Sequence, residues 1–168
     1  MSDIIQEAQR CLKCKKPLCK EGCPVQTEIP TIMQMFLEGK MDEAGELLFK
    51  NNPLSAICSL ICPHEKNCMG HCVLNHKNSP IKFFEVENYI SSFFLDKARL
   101  QPHEKNGHLV GIIGAGPAGL TLAILLAQRG YEVTIIDSKD KIGGVLRYGI
   151  PEFRLPKSLL DKLLDRMK

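Results

Sequence analysis

Eight cysteines, all placed before residue 73, constrain this 168-residue chain more than any other feature. They fall into two runs: Cys11, Cys14, Cys19 and Cys23, then Cys58, Cys62, Cys68 and Cys72. Cys23 and Cys62 are each followed by proline. The opening MSDIIQEAQR lacks the basic-then-apolar order of a secretory signal. The expected location is therefore the cytoplasm, where thiols stay reduced and disulfides are disfavoured. Metal binding or redox use is the better reading of so many cysteines.

Glycines show the opposite bias: eight of the 13 lie after residue 110. The join between the two compositions is Leu100–His108, polar, with Pro102 and Gly107. Two units are expected: a helical domain over 1–100, a linker over 101–108, and an α/β domain over 109–168.

In the first unit, Ser2 is positioned to cap a helix through Gln9. IPTIMQMFLEG places Ile29, Ile32, Met33 and Phe36 on one face and ends at Gly39. MDEAGELLFKNN reads as its antiparallel partner, stopped by Pro53. FFEVENYISSFFLDKARL is the longest amphipathic stretch, with Phe83, Val86, Ile90, Phe93 and Phe94 roughly on one side.

The second unit begins with an apolar run, HLVGII, turns through glycines, and continues as TLAILLAQRG, a helix ended by Gly130. YEVTIID is a second strand and SLLDKLLDRMK a final amphipathic helix. Strand, glycine turn, helix and strand make the opening of a Rossmann-like sheet. Gly114, Gly116 and Gly119 fit G-x-G-x-x-G, with Pro117 and Ala118 between, and Asp137 ends the next strand. Gly114 permits the turn, Gly116 lets backbone approach a pyrophosphate, and Gly119 lets helix pack on strand. The helix N-terminus faces the phosphate, and Asp137 suits ribose hydroxyls rather than a 2′-phosphate. Pro117 and the later Gly143-Gly144 resemble flavoprotein FAD loops, with NAD second. Two strands are too few for a stable sheet. The chain accordingly reads as stopping inside this domain, inactive alone, its last helix unsupported or packed on another copy.

The net charge of +3 does not argue for nucleic acid, and no apolar run approaches a membrane span. Lys13, Lys15, Lys16 and Lys20 read as a solvated face, and His64 and His71 as residues beside the cysteines rather than ligands. Zinc can use paired knuckles such as Cys11-x₂-Cys14 and Cys19-x₃-Cys23. Iron–sulfur fits better, because the runs are dense, both contain Cys-Pro, and a dinucleotide motif follows. In two-cluster ferredoxins the cysteine before proline closes the other cluster. By that rule Cys23 joins Cys62, Cys68 and Cys72. Cys11, Cys14 and Cys19 are then one ligand short, and Cys58 is left over.

RCLKCKKPLCKEGCPV, NNPLSAICSLICPHEKNCMGHC, SPIKFFEVENYI, GIIGAGPAGL and GGVLRYGIPEFRLP, in this order, resemble the N-terminal part of the glutamate synthase small subunit family. Its relatives include the N-terminal region of dihydropyrimidine dehydrogenase and NADPH-linked ferredoxin oxidoreductase large subunits. The resemblance implies two [4Fe–4S] clusters in a helical domain, then FAD on a Rossmann-like domain that includes Gly144. It implies NAD(P)H as reductant of the intact enzyme and electron transfer to a partner subunit or C-terminal domains. It also implies an oxygen ligand for the short cluster, which falls on Glu87. No acid–base or nucleophilic catalytic residue is expected, because the cofactors carry the chemistry. The competing expectation is a zinc-stabilised helical interaction domain with a non-functional Rossmann tail.

Overall fold

The computed structural model describes residues 2–97 and 104–167. It divides into two compact units at Asp96–Lys97. The expectation of a linker falls partly on residues 98–103, which lie outside the described residues, as does the proposed capping by the Ser2 side chain.

The first unit is helical. Helix α1 (Ser2–Gln9) packs on α3 (Ile29–Leu37), and α3 on α4 (Met41–Asn51). The short α2 (Leu18–Glu21) lies within the first cysteine run. Helix α3 turns into α4 through Gly39, whose φ of +74° is the left-handed conformation a glycine adopts without cost. Lys40 N–H reaches back to Met35 C=O and Gly39 N–H to Phe36 C=O, satisfying the last carbonyls of α3. Asn52 is extended, as a residue before proline must be, and ends α4. Helix α5 (Ser55–Ile61) follows at once. A 3-10 helix (Val73–Lys77) then leads to α6 (Phe83–Lys97).

Ile32, Met33, Leu48, Val86 and Ile90 form the centre of the core. The buried face of α6 departs from the apolar stripe read in the sequence. It includes Glu87 and Ser91, while Phe93 and Phe94 are only half-buried. Two contacts explain this. Asn88 Nδ2 donates to Ser59 Oγ at 2.9 Å, and Ser91 Oγ to Ser55 Oγ at 2.9 Å. The polar side of α6 thus packs on the serine face of α5. Phe94 lies over Gly45 and against Phe49, with ring centroids 5.7 Å apart.

The second unit holds a two-stranded parallel sheet of β1 (Leu109–Ile113) and β2 (Glu132–Ile136), in register from Leu109↔Glu132 to Ile113↔Ile136. Helix α7 (Pro117–Ala127) joins them and packs on both. Alternation decides which face it covers: Val110 and Ile112 are sheltered, while Leu109 and Ile113 on the other face are 78% and 91% exposed. A short α8 (Val145–Tyr148) and α9 (Lys157–Met167) complete the unit. The last helix is supported within its own unit, contrary to the sequence expectation. Leu160 and Leu163 are buried, and Leu160 lies against Gly143. Lys157 Nζ donates to the carbonyls of Leu146 and Ile150, pinning the Gly149–Pro156 loop at the start of α9.

Candidate iron–sulfur and dinucleotide sites

The first thiol group gathers around a hollow lined by Cys11, Cys14, Cys19, Cys68 and Cys72, walled by Ile29, Ile81 and Phe83. Lys13, in the left-handed region at φ +49°, turns the Cys11–Cys14 loop so that its backbone N–H faces the Cys11 sulfur. Burial pushes the Cys11 thiol up, and the neighbouring Cys14 and Cys72 charges add to it. Burial pushes Cys19 up to about 11, again with Cys72, Cys11 and Cys14 beside it. Cys72 therefore stands with the first run.

The second group forms where α5 meets α6. Cys58 and Cys62 are one helical turn apart, with Cys62 N–H donating to Cys58 C=O at 3.0 Å. Each sulfur accepts an amide N–H: Asn52 Nδ2 reaches Cys58 Sγ at 3.2 Å and Asn67 Nδ2 reaches Cys62 Sγ at 3.1 Å. Burial pushes Cys68 up to about 12, with Glu87, Cys23 and Cys62 adding to the rise. Cys58 is pushed up to about 11, first by burial, against the Asn52 hydrogen bond, with Glu87, Cys62 and Cys23 adding to the rise. Cys23 Sγ lies 3.4 Å from Thr27 Oγ1. Glu87 is 7% exposed, and burial alone pushes its carboxyl up to about 8. No hydrogen bond or ion pair reaches that carboxyl among the described residues.

The structure brings Cys23 to Cys62 and Cys68. It does not bring Cys72 to that set, and it does not bring Glu87 to Cys11, Cys14 and Cys19; those two residues stand in each other's expected places. The reason is tertiary. The α5–α6 contacts at Ser59–Asn88 and Ser55–Ser91 fix Glu87 beside Cys62. The turn Cys68–Cys72 carries the chain on to the other group, with Cys72 N–H bonded to Met69 C=O. Cys58, left over in the sequence, faces the second group. The Asn–Cys hydrogen bonds had no sequence signal beyond an asparagine near each cysteine.

His71 packs its ring on Gly22, where a Cβ would come within 2.4 Å, so the two cysteine runs touch there. His64 is buried and stacks on Phe84 with centroids 4.3 Å apart. Burial lowers its pKa, and its Nε2 has no partner among the described residues. Among the described residues, no three His, Cys, Asp or Glu side chains converge as a single-ion site.

In the second unit Gly114 has φ +103°. A Cβ at Gly119 would sit 1.9 Å from Gly114 C=O, so only glycine lets α7 start this close to β1. Among the described residues a Cβ at Gly114 or Gly116 would meet nothing within 4 Å, leaving open space in front of the α7 N-terminus with Pro117 and Ala118. Gly144 closes one side: its Cβ would lie 2.8 Å from Gly116 Cα, and Gly143 N–H donates to Ala115 C=O at 2.8 Å. Asp137 accepts the Ala115 N–H at 2.6 Å and the Lys139 N–H at 2.8 Å, which hold its carboxyl below the usual range. It ties the end of β2 to the glycine loop.

Residues 1–99 match the family described as dihydropyrimidine dehydrogenase domain II, 4Fe-4S cluster. The chain belongs to this family. Residues 112–157 match the NAD(P)-binding Rossmann-like domain, so a dihydropyrimidine dehydrogenase domain II unit is followed here by a Rossmann-like one. The chain is similar to the glutamate synthase [NADPH] small chain of Azospirillum brasilense, 38% identical across 94% of this chain and 33% of the relative. It is 39% identical to the NAD-dependent dihydropyrimidine dehydrogenase subunit PreT homolog of Salmonella typhi, across 97% of this chain and 40% of the relative. The Escherichia coli K12 PreT subunit is 37% identical, across 98% and 40% respectively. The chain thus spans about a third to two-fifths of the length of these curated relatives. No described helix is long and apolar enough to cross a membrane.

Proposed function

We propose that this chain is the electron-transfer part of an NAD(P)H-dependent flavin and iron–sulfur oxidoreductase, passing electrons between FAD and a partner subunit or domain. The observation that carries this reading is the sorting of the eight cysteines into two groups. Cys11, Cys14, Cys19 and Cys72 would hold one [4Fe–4S] cluster. Cys23, Cys62 and Cys68 would hold the other, with an oxygen or sulfur from Glu87 or Cys58 completing it. The donor chemistry fits: amide and backbone N–H groups already face Cys11, Cys58 and Cys62, as N–H groups do around the ligating sulfurs of a cluster. When bound, FAD and the clusters supply two-electron and one-electron chemistry respectively.

The protein's residues bind, orient and exclude water. Gly114, Gly116, Pro117, Ala118 and Gly119 offer a pyrophosphate the open α7 N-terminus, and Gly144 closes over Gly116. Asp137 fixes that loop and stands at the strand end where a ribose would lie. Ile29, Ile81 and Phe83 keep the first thiol group dry, and α6 buries the second. We assign the chain to the cytoplasm because its eight free thiols suit a reducing compartment.

Anaerobic reconstitution of the full chain with iron and sulfide tests this reading. The expected result is acid-labile sulfide matching iron, with the spin signals of two reduced clusters. Zinc bound without sulfide would overturn it and leave the zinc-stabilised interaction domain standing.

A further inference from the structure

The second thiol group holds one donor too many for a four-iron cluster. Cys23, Cys62 and Cys68 fill three positions, and two side chains compete for the fourth. Cys58 lies on α5 one turn before Cys62, the residue that ends that helix. Its sulfur accepts Asn52 Nδ2–H, and that amide is held in orientation because its Oδ1 accepts Leu54 N–H at 3.0 Å. Cys62, a ligand in the reading above, is served the same way by Asn67. Asn51 Nδ2 donates to Val25 C=O at 2.9 Å, so the end of α4 holds the Cys23 loop next to Cys58. Across from it, Glu87 is buried on α6, and no hydrogen bond or ion pair reaches its carboxyl among the described residues.

We propose that Cys58 and Glu87 are interchangeable fourth ligands of the second cluster in this chain, Cys58 being a thiolate position that becomes filled when Glu87 is absent and the reverse. This rests on the iron–sulfur reading above. The two arrangements balance without any oxidant or reductant. With Glu87 ligating, Cys58 keeps its thiol proton; with Cys58 ligating, that proton resides on the Glu87 carboxyl. One iron–oxygen bond is exchanged for one iron–sulfur bond, and the total charge of the filled site is the same. A lone buried carboxyl without a hydrogen bond is costly. A lone buried thiol is tolerated as a small apolar group. The fold therefore tolerates Cys58 as the spare more easily than Glu87.

The test uses the full chain, reconstituted anaerobically, in four forms: unmodified, Cys58→Ala, Glu87→Ala and the double variant. Iron and sulfide content and the low-temperature spin signals of the reduced protein are read. The expected result is that each single variant keeps both clusters, that the second signal shifts in Glu87→Ala because sulfur replaces oxygen, and that only the double variant loses it. Loss of the second signal in either single variant overturns the proposal, by making that residue the sole fourth ligand. Its survival in the double variant overturns it by removing both. The first cluster's signal and far-ultraviolet circular dichroism monitor folding. Cys58→Val and Glu87→Leu, which fill the vacated space without offering a ligand, carry the same decision if an alanine variant unfolds. An unmodified chain without sulfide would instead defeat the iron–sulfur reading itself.

Discussion

Gly116 and Gly119 look alike in the motif and differ in what they do. A methyl group at Gly119 meets the Gly114 carbonyl at 1.9 Å, backbone against backbone, whereas one at Gly116 meets nothing. Gly119→Ala should therefore destabilise the second unit by about 1–3 kcal/mol in urea unfolding. Gly116→Ala should leave stability within about 0.5 kcal/mol yet, on the proposed function, weaken FAD binding by fluorescence titration, since the methyl would project into the space where the proposed cofactor's phosphate would lie. Equal stability losses at both positions would contradict this division. Asp137 supplies a pH dependence. Its folded carboxyl is held below its unfolded value by the Ala115 and Lys139 N–H groups. Its contribution is thus present above the unfolded value and is lost as the pH falls through the folded one. The second unit should lose stability on acidification below about pH 4, and Asp137→Asn should show a shallower acid limb in thermal melts. The residue types of both sites were legible in the sequence, since glycine spacing and cysteine runs are local signals. The exchange of Cys72 and Glu87 was not, because it depends on a serine face of α5 meeting a polar face of α6.

At the level of elements, the α4–α6 contact is set by one missing side chain. Gly45 sits mid-helix, where glycine is unfavourable, and a Cβ there would come within 2.6 Å of Phe94. Gly45→Ala should cost about 1–3 kcal/mol despite its better helix propensity. Combining it with Phe94→Ala should recover part of that loss in a double-mutant cycle. Additive losses would show that the ring can move aside. The α3 and α4 helices were readable from period and from Gly39, whose positive φ only glycine adopts cheaply. Helix α5 was readable only as a helical turn of undecided facing, because Ser55–Ile61 is short and its buried face includes Ser55 and Ser59. The α6 stripe was misjudged at Phe93 and Phe94 for the same reason: polar contacts, not apolar area alone, set its rotation.

For the whole molecule, the two units draw on different sources of stability. The first has an apolar core, yet the second thiol group and Glu87 lie at its α5–α6 seam. If ligated clusters relieve that burden, removing iron should loosen the first unit selectively. Hydrogen exchange after iron chelation should rise across Cys11–Pro24 and Ser55–Asn78 and stay unchanged across Leu109–Ile136. Uniform loss of protection in both units would count against the assignment of the thiols. The order of the two units was legible from composition, cysteines first and glycines later. The packing of α9 was not, because its support comes from the methyl-free surface of Gly143 and from the carbonyls of Leu146 and Ile150, scattered through a segment without period.

The bare side of the parallel sheet has a practical consequence. Leu109, Ile113 and Ile136 present an apolar strip, and both strand edges lack a neighbour among the described residues. Such a ribbon is a template for strand addition between chains. Preparations of this chain should scatter light increasingly with concentration, and Ile113→Lys should raise the solubility limit while leaving iron content untouched.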